Sequence, residues 1–303
     1  MLKRLYGVVC ATITPMLPDG SVDLESAGRL YRCLTEAGIT GLYPNGTNGE
    51  SLSLSYDERC ALAERCTVEA TGKSSVYVQC GAASAEETRR NILFAQSCGA
   101  DGAGIMTPVF FPVDEEGMEA YYDQMLQATP ELPAYVYNIP SRTGNDVSPA
   151  LLGRLMGRYP RLYGIKYSAP DLLRIGQYVH CCGDRRPDVL IGCDPLAVCC
   201  LDMGGVGWVS GPAAAFRESF VRLHRQSGTD RAGMKETQAW IAYLSSQLAG
   251  IPEIPAVKYL LMRRGIIRHD ACRSPLRPLR SGEKERLDRL LALYLEREGR
   301  KEG

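Results

Sequence analysis

The chain has 303 residues, 45% of them hydrophobic and 23% charged, and its formal net charge is zero. That balance supplies apolar material for a sizeable core and excludes the strongly basic surface that nucleic acid or an anionic membrane would demand. No stretch has the length and apolarity of a membrane span, and Met1-Leu2-Lys3-Arg4 leads into a strand rather than a signal peptide, so a cytoplasmic protein is expected.

Strand-like and helix-like segments alternate from the start. Gly7 to Thr14 reads as a strand, closed by Pro15 and the Pro18-Asp19-Gly20 turn. Asp23 caps a helix to about Ala37, with Leu24, Ala27, Leu30, Tyr31 and Leu34 on one face. Gly41 to Pro44 is a second strand, running into Asn45-Gly46-Thr47-Asn48-Gly49-Glu50-Ser51 and a helix over 56–70. Strands over 75–80 and 102–106 follow, with helices over 86–98 and, after a Pro-rich loop, 115–128. The fifth to eighth strands read as 133–138, 161–166, 188–192 and 205–210, with helices over 149–157, 171–179 and 196–203 between them. Eight such units in series with mostly short connections predict a (β/α)8 TIM barrel over residues 1–228. Helical segments over 231–248, 255–264 and 282–297 are too many for the eighth barrel helix, so residues 229–303 read as a small helical extension packed on the barrel.

The sixth strand, Arg161-Leu162-Tyr163-Gly164-Ile165-Lys166, ends an apolar run on a lysine. A lone strand-end lysine more often runs its stem out to water. Desolvation, however, lowers the pKa of an amine and frees it as the nucleophile that imine formation requires. The chain has seven lysines against 28 arginines, which makes an incidental lysine here a little less expected. In a barrel the chemistry sits at the carboxyl ends of the strands. Those ends deliver Thr47 in a glycine turn, Tyr137, Arg142 in the loop Ile139-Pro140-Ser141-Arg142-Thr143-Gly144, Lys166, Gly192-Cys193-Asp194, and Val209-Ser210-Gly211. Lysine, tyrosine, arginine and a hydroxyl-bearing turn at one mouth match a keto-acid site: an imine, carboxylate binding and proton movement. Each residue also has a plainer reading. Tyr137 would pack on the rim, Arg142 would be a surface charge, Glu50 a helix-start acid and Asp194 a cap before Pro195. Their coincidence on four separate strand ends favours the site.

The motifs Gly46-Thr47-Asn48-Gly49-Glu50, Tyr137-Asn138-Ile139-Pro140-Ser141-Arg142-Thr143-Gly144 and Gly164-Ile165-Lys166-Tyr167-Ser168 resemble the dihydrodipicolinate synthase and N-acetylneuraminate lyase group of pyruvate-dependent class I aldolases. The resemblance runs from Gly7 to the Ile254-Pro255-Ala256-Val257-Lys258 helix. It implies Lys166 as the Schiff-base lysine, Tyr137 as the proton relay, and Thr47 with Asn48 on the pyruvate carboxylate. The carried-over pocket also takes in Gly192, Asp194, Val209 and Ser210. No cofactor is implied beyond the imine itself, and a homo-oligomer, dimer or tetramer, is expected. Arg142 resembles the synthase branch, where it holds the carboxylate of the second substrate, a task suited to a planar bidentate donor. Two departures stand against that branch and its sister. Phe110 and Phe111 replace the paired tyrosines of the synthases, the second of which reaches a neighbouring subunit's site, and they read instead as a subunit-contact patch. Pro195 replaces the acid that follows the aspartate in sialic-acid lyases. Tyr56 and Arg59 occupy the helix that carries feedback-site histidines in the enterobacterial type.

The expected activity is therefore a pyruvate-dependent lyase or synthase acting on pyruvate and a carboxylate-bearing aldehyde. A 2-keto-3-deoxy acid or N-acetylneuraminate-type aldolase and a catalytically silent keto-acid-binding relative remain alternatives. An unrelated phosphate-binding barrel would want a richer glycine loop than Ser210-Gly211-Pro212. The twelve cysteines show no Cys-x-x-Cys pair, and His180, His224 and His269 stand far apart, which argues against a zinc site and for reduced, core-packing thiols.

Overall fold

Short strands with apolar residues on both faces, each followed by a helix, close into a ring in the computed structural model, which describes residues 4–299. Among these, eight parallel strands follow one another in sequence order around a closed barrel. They are β1 (Gly7–Cys10), β2 (Gly41–Leu42), β3 (Ser75–Gln79), β4 (Gly102–Met106), β5 (Ala134–Asn138), β6 (Leu162–Tyr167), β7 (Asp188–Ile191) and β8 (Gly207–Ser210). The helices are α1 (Leu24–Ala37), α2 (Tyr56–Ala70), α3 (Ala85–Ser97), α4 (Glu115–Ala128), α5 (Pro140–Thr143), α6 (Pro149–Arg158), α7 (Leu172–Val179), α8 (Ala197–Asp202) and α9 (Arg217–Gln226), then α10 (Arg231–Leu248), α11 (Glu253–Arg263) and α12 (Ser281–Gly299). Residues 1–3 and 300–303, the outer ends of the two segments expected from sequence, lie outside the described residues.

Most helix starts are written in the chain. Asp23, Ser55, Ser84, Asp114, Ser148, Asp171 and Asp230 each accept the backbone N–H three residues on, satisfying one of the free donors of the first turn. Helices α5, α8, α9 and α11 have no side-chain cap, and the sequence reading assigns no helix at α9. There the apolar contribution shrinks to Phe220, Val221 and Leu223 among charged residues. The Pro140–Thr143 stretch, read as loop, is one helical turn closed by Gly144 at φ 77°.

Two cores result. The lumen is filled by Leu5, Val9, Tyr43, Tyr77, Tyr135, Tyr137, Tyr163 and Leu190. Alternate residues of the same strands, Val8, Val136, Ile165 and Val189 among them, pack outward on the helices. The register of β6 against β5 shifts at its start: Ala134 faces Leu162, but Tyr135 faces Gly164. Tyr163 is the extra residue of a β-bulge, so both Tyr163 and Gly164 fall on the lumen side. The shift re-phases the strand, with Ile165 outward beside Val136 and Lys166 inward beside Tyr137. Only glycine fits at 164, because a Cβ there would stand 2.0 Å from the Asp188 carbonyl oxygen.

The C-terminal helices are tied to the barrel mouth by a buried ion pair. Lys258, fully buried on α11, donates to the Glu50 carboxylate and, at 2.7 Å, to the Ala271 carbonyl oxygen. The Arg273 backbone N–H completes the carboxylate at 2.9 Å. Glu50, at φ 55°, caps no helix; the turn after β2 uses it as an anchor. All twelve cysteines are free thiols, four of them buried.

Candidate active site

The nine residues that sequence analysis assigns to a site line one cavity of about 430 Å³ at the carboxyl ends of the strands: Thr47, Asn48, Tyr137, Arg142, Lys166, Gly192, Asp194, Val209 and Ser210. Tyr137, Lys166 and Val209 are each the last but one residue of β5, β6 and β8, and Gly192 follows β7 directly. Strand geometry alone therefore aims them at one another. Two glycines make the fit. A Cβ at Gly192 would stand 2.1 Å from Ser168 Oγ, and one at Gly211 would stand 1.8 Å from Asn48 Nδ2.

Lys166 is 4% exposed. Its Nζ lies 3.5 Å from the centroid of the Tyr137 ring and 4.8 Å from that of Tyr43. Burial lowers the pKa of the amine, more strongly than the neighbouring Tyr137 and Glu253 raise it. Tyr137 is the counterpart. Burial would raise its phenol, but the Lys166 charge and the hydrogen bond with Thr47 bring it below its ordinary value. Thr47 Oγ1 and the Tyr137 hydroxyl are 3.0 Å apart. An amine that gives up its proton readily, facing a phenol chained to a second hydroxyl, is equipped for nucleophilic attack and proton relay.

The opposite wall is acidic. Asp194 is buried, and desolvation together with the Glu253 charge pushes its carboxyl up to about 7 against the hydrogen bond from Ser210. Ser210 Oγ donates to Asp194 at 2.8 Å and accepts the Ala213 N–H at 2.9 Å. Arg142 sits at the rim on the α5 turn, exposed, and its guanidinium makes no hydrogen bond or ion pair among the described residues. The turn is pinned from below, where Thr107 Oγ1 donates to Thr143 Oγ1 at 2.9 Å. Among the described residues no group of three or more His, Cys, Asp or Glu side chains is arranged to hold a metal ion.

Sequence reasoning missed three contributors. Tyr43 follows β2, across the barrel from β6, and looks like plain core, yet its ring faces Lys166 and stands edge-on to Tyr137, with centroids 6.0 Å apart. Ser168 follows the lysine strand and lines the cavity. Glu253 comes from α11, so the C-terminal helices close one wall with Ser245, Leu248 and Ile251. The one signal for Glu253 was an acid just ahead of the Ile254–Lys258 motif. Phe110 and Phe111 do not line the cavity. They are 86% and 69% exposed, stacked edge-to-face at 5.0 Å, and Phe110 holds φ 77°, a costly backbone for a bulky residue.

Residues 4–293 match the model of the dihydrodipicolinate synthetase family. The chain is 33% identical to an uncharacterized DapA-like lyase of Halobacterium salinarum over 95% of its length and 93% of the relative's. It is 35% identical to the N-acetylneuraminate lyase of Sus scrofa over 68% of this chain and 66% of that one. Among solved structures it resembles YagE, an E. coli K12 prophage protein of the dihydrodipicolinic acid synthase family in complex with pyruvate. That likeness has a TM-score of 0.90 at 25% identity and covers 95% of this chain and 98% of the other.

Proposed function

Because the chain belongs to the dihydrodipicolinate synthetase family, whose members are lyases of the class I aldolase type, we propose that it joins pyruvate to an aldehyde carrying its own carboxylate, through an imine on Lys166. The observation that carries this reading is the unpaired Arg142 guanidinium at the rim of a cavity whose floor holds a desolvated lysine. A guanidinium without a protein partner at a substrate entrance suits a carboxylate.

In the proposed cycle the neutral Lys166 amine attacks the pyruvate carbonyl, water leaves, and an imine forms. Thr47 and Asn48 hold the pyruvate carboxylate, and Tyr137 with Thr47 carries the protons in and out. Loss of a methyl proton gives the enamine, whose carbon bonds to the aldehyde carbon. The aldehyde oxygen takes a proton to become a hydroxyl, and hydrolysis returns Lys166. Pyruvate is supported by the E. coli relative that holds it. The second reading runs the bond change backwards, cleaving a hydroxylated 2-keto acid. It is favoured by Asp194, buried and hydrogen-bonded on the wall that would face substrate hydroxyls, and by the likeness to the Sus scrofa lyase. We further propose a cytoplasmic setting, which keeps the free thiols reduced, and a homo-oligomer, dimer or tetramer, seated on the Phe110–Phe111 pair.

Borohydride reduction in the presence of pyruvate tests the imine. Mass spectrometry should place the label on Lys166, and a label on Lys258 or Lys73, or none, sinks the reading. Arg142→Ala should raise the KM for the aldehyde at least about ten-fold with little effect on pyruvate, the worth of one charge-assisted contact. Equal effects on both constants would make Arg142 structural.

A further inference from the structure

A second cavity among the described residues is larger than the site described above. A groove of about 750 Å³ lies on the outer wall, between α1 and α9 and beside the end of α12. Arg29, Arg32, Arg217, Arg222 and Arg225 line it, against Glu36, Glu218 and Glu298, in a chain whose net charge is zero. Helical spacing makes this one face: 29, 32 and 36 fall three to four residues apart on α1, and 217, 221 and 225 four apart on α9.

Three of the five arginines are occupied. Arg29 donates to Glu25 at 2.8 Å and to Ser26, Arg32 donates to Glu69 at 2.5 Å, and Arg222 is forked onto Glu298. Arg217 is only half-matched, and Arg225 is free among the described residues. Arg217 reaches only Glu218, at 3.2 Å, and that carboxylate is already held by Arg264 at 2.6 Å and by the Tyr294 hydroxyl at 2.9 Å. Its Nη1 is buried without any acceptor. Arg225 makes no hydrogen bond or ion pair among the described residues. Desolvating a guanidinium and leaving a donor unmatched is unfavourable, and an apolar side chain would fill the same place at less cost.

We propose that this groove is a binding site for an elongated polyanion, a small molecule with phosphate or carboxylate groups at both ends. Arg217 and Arg225 are eight residues apart on one helix, about 12 Å along its axis, so a single-headed anion meets only one of them. The volume lies in the range of sites for small organic ligands. Planar guanidinium groups bind either oxyanion in a two-pronged fashion, so the groove defines the charge and the span rather than the head group.

Calorimetric titration of the full chain with hexane-1,6-diyl bisphosphate, suberate and inorganic phosphate tests this. One equivalent of the bisphosphate or of suberate should bind, whichever is tighter naming the head group, and inorganic phosphate should bind about ten-fold more weakly. Arg225→Met, an exposed position that leaves the fold alone, and Arg217→Met should each weaken binding about ten-fold or more, while Arg142→Ala leaves it unchanged and aldehyde turnover survives in both groove variants. No heat with any of the three anions overturns the proposal. So does binding that is indifferent to Arg217 and Arg225, or that vanishes with Arg142→Ala, since the anion would then occupy the barrel mouth.

Discussion

At the scale of single residues the site is a set of pKa values moved by burial. Lys166 is lowered because its charged form has lost water, and Tyr137 is lowered because that same charge and Thr47 stabilise its anion. Tyr137→Phe keeps the ring that packs against Lys166 and Tyr43 and removes only the hydroxyl, so the fold should stand while turnover falls about 100-fold or more. A variant retaining most of its rate would take Tyr137 out of the proton path. Asp194 moves the other way. Its folded pKa of about 7 exceeds the ordinary 3.8, so between these values the folded chain holds a proton that the unfolded chain has released. Stability therefore falls as pH rises through that window. Asp194→Asn should gain about 2–4 kcal/mol over the parent above pH 7 and little near pH 4, in urea titrations at both pH values. Equal gains at both would show that the carboxyl does not titrate where burial places it. The residues of this site were legible because each closes a strand or lies in the loop just after one, and strand ends are visible as apolar runs stopping at turns. Tyr43 was not, since an aromatic inside a strand has the same pattern whether it faces a lysine or another apolar side chain.

At the scale of elements, helices with a cap or a full apolar stripe were legible, and α9, which has neither, was not. Asp23 or Ser55 before an apolar stripe announces a start, whereas α9 offers no cap and a thin stripe, and its stability rests on packing against α1 and the barrel. The β-bulge of β6 is equally silent. Nothing in Leu162–Tyr167 says that Tyr163 and Gly164 share a side, yet that doubling decides whether Lys166 faces the lumen or the helices. The Lys258–Glu50 pair was half-visible: both residues lie in motifs, but sequence gives no reason to join them. Lys258→Met leaves a buried carboxylate with backbone partners alone and should cost about 3–5 kcal/mol in chemical denaturation. Lys258→Met with Glu50→Gln should recover most of that loss, because a neutral amide keeps a group for the Arg273 N–H. Failure to recover would mean that the lysine stem, not the charge, is what α11 needs.

At the scale of the whole molecule, the barrel accounts for the position of the chemistry and the extension for its enclosure. Glu253, Ile251 and Ser245 form one wall of the cavity, and the pair that holds them joins residues 208 apart in the chain. Segments folding in order of synthesis bring the strands together first and α11 later. A chain still being made thus carries the lysine, the tyrosine and the threonine in a mouth without its far wall, open to bulk water and to any passing aldehyde. The far wall is anchored only when Lys258 reaches Glu50. Enclosure of the mouth therefore depends on the meeting of two segments that lie far apart in the chain.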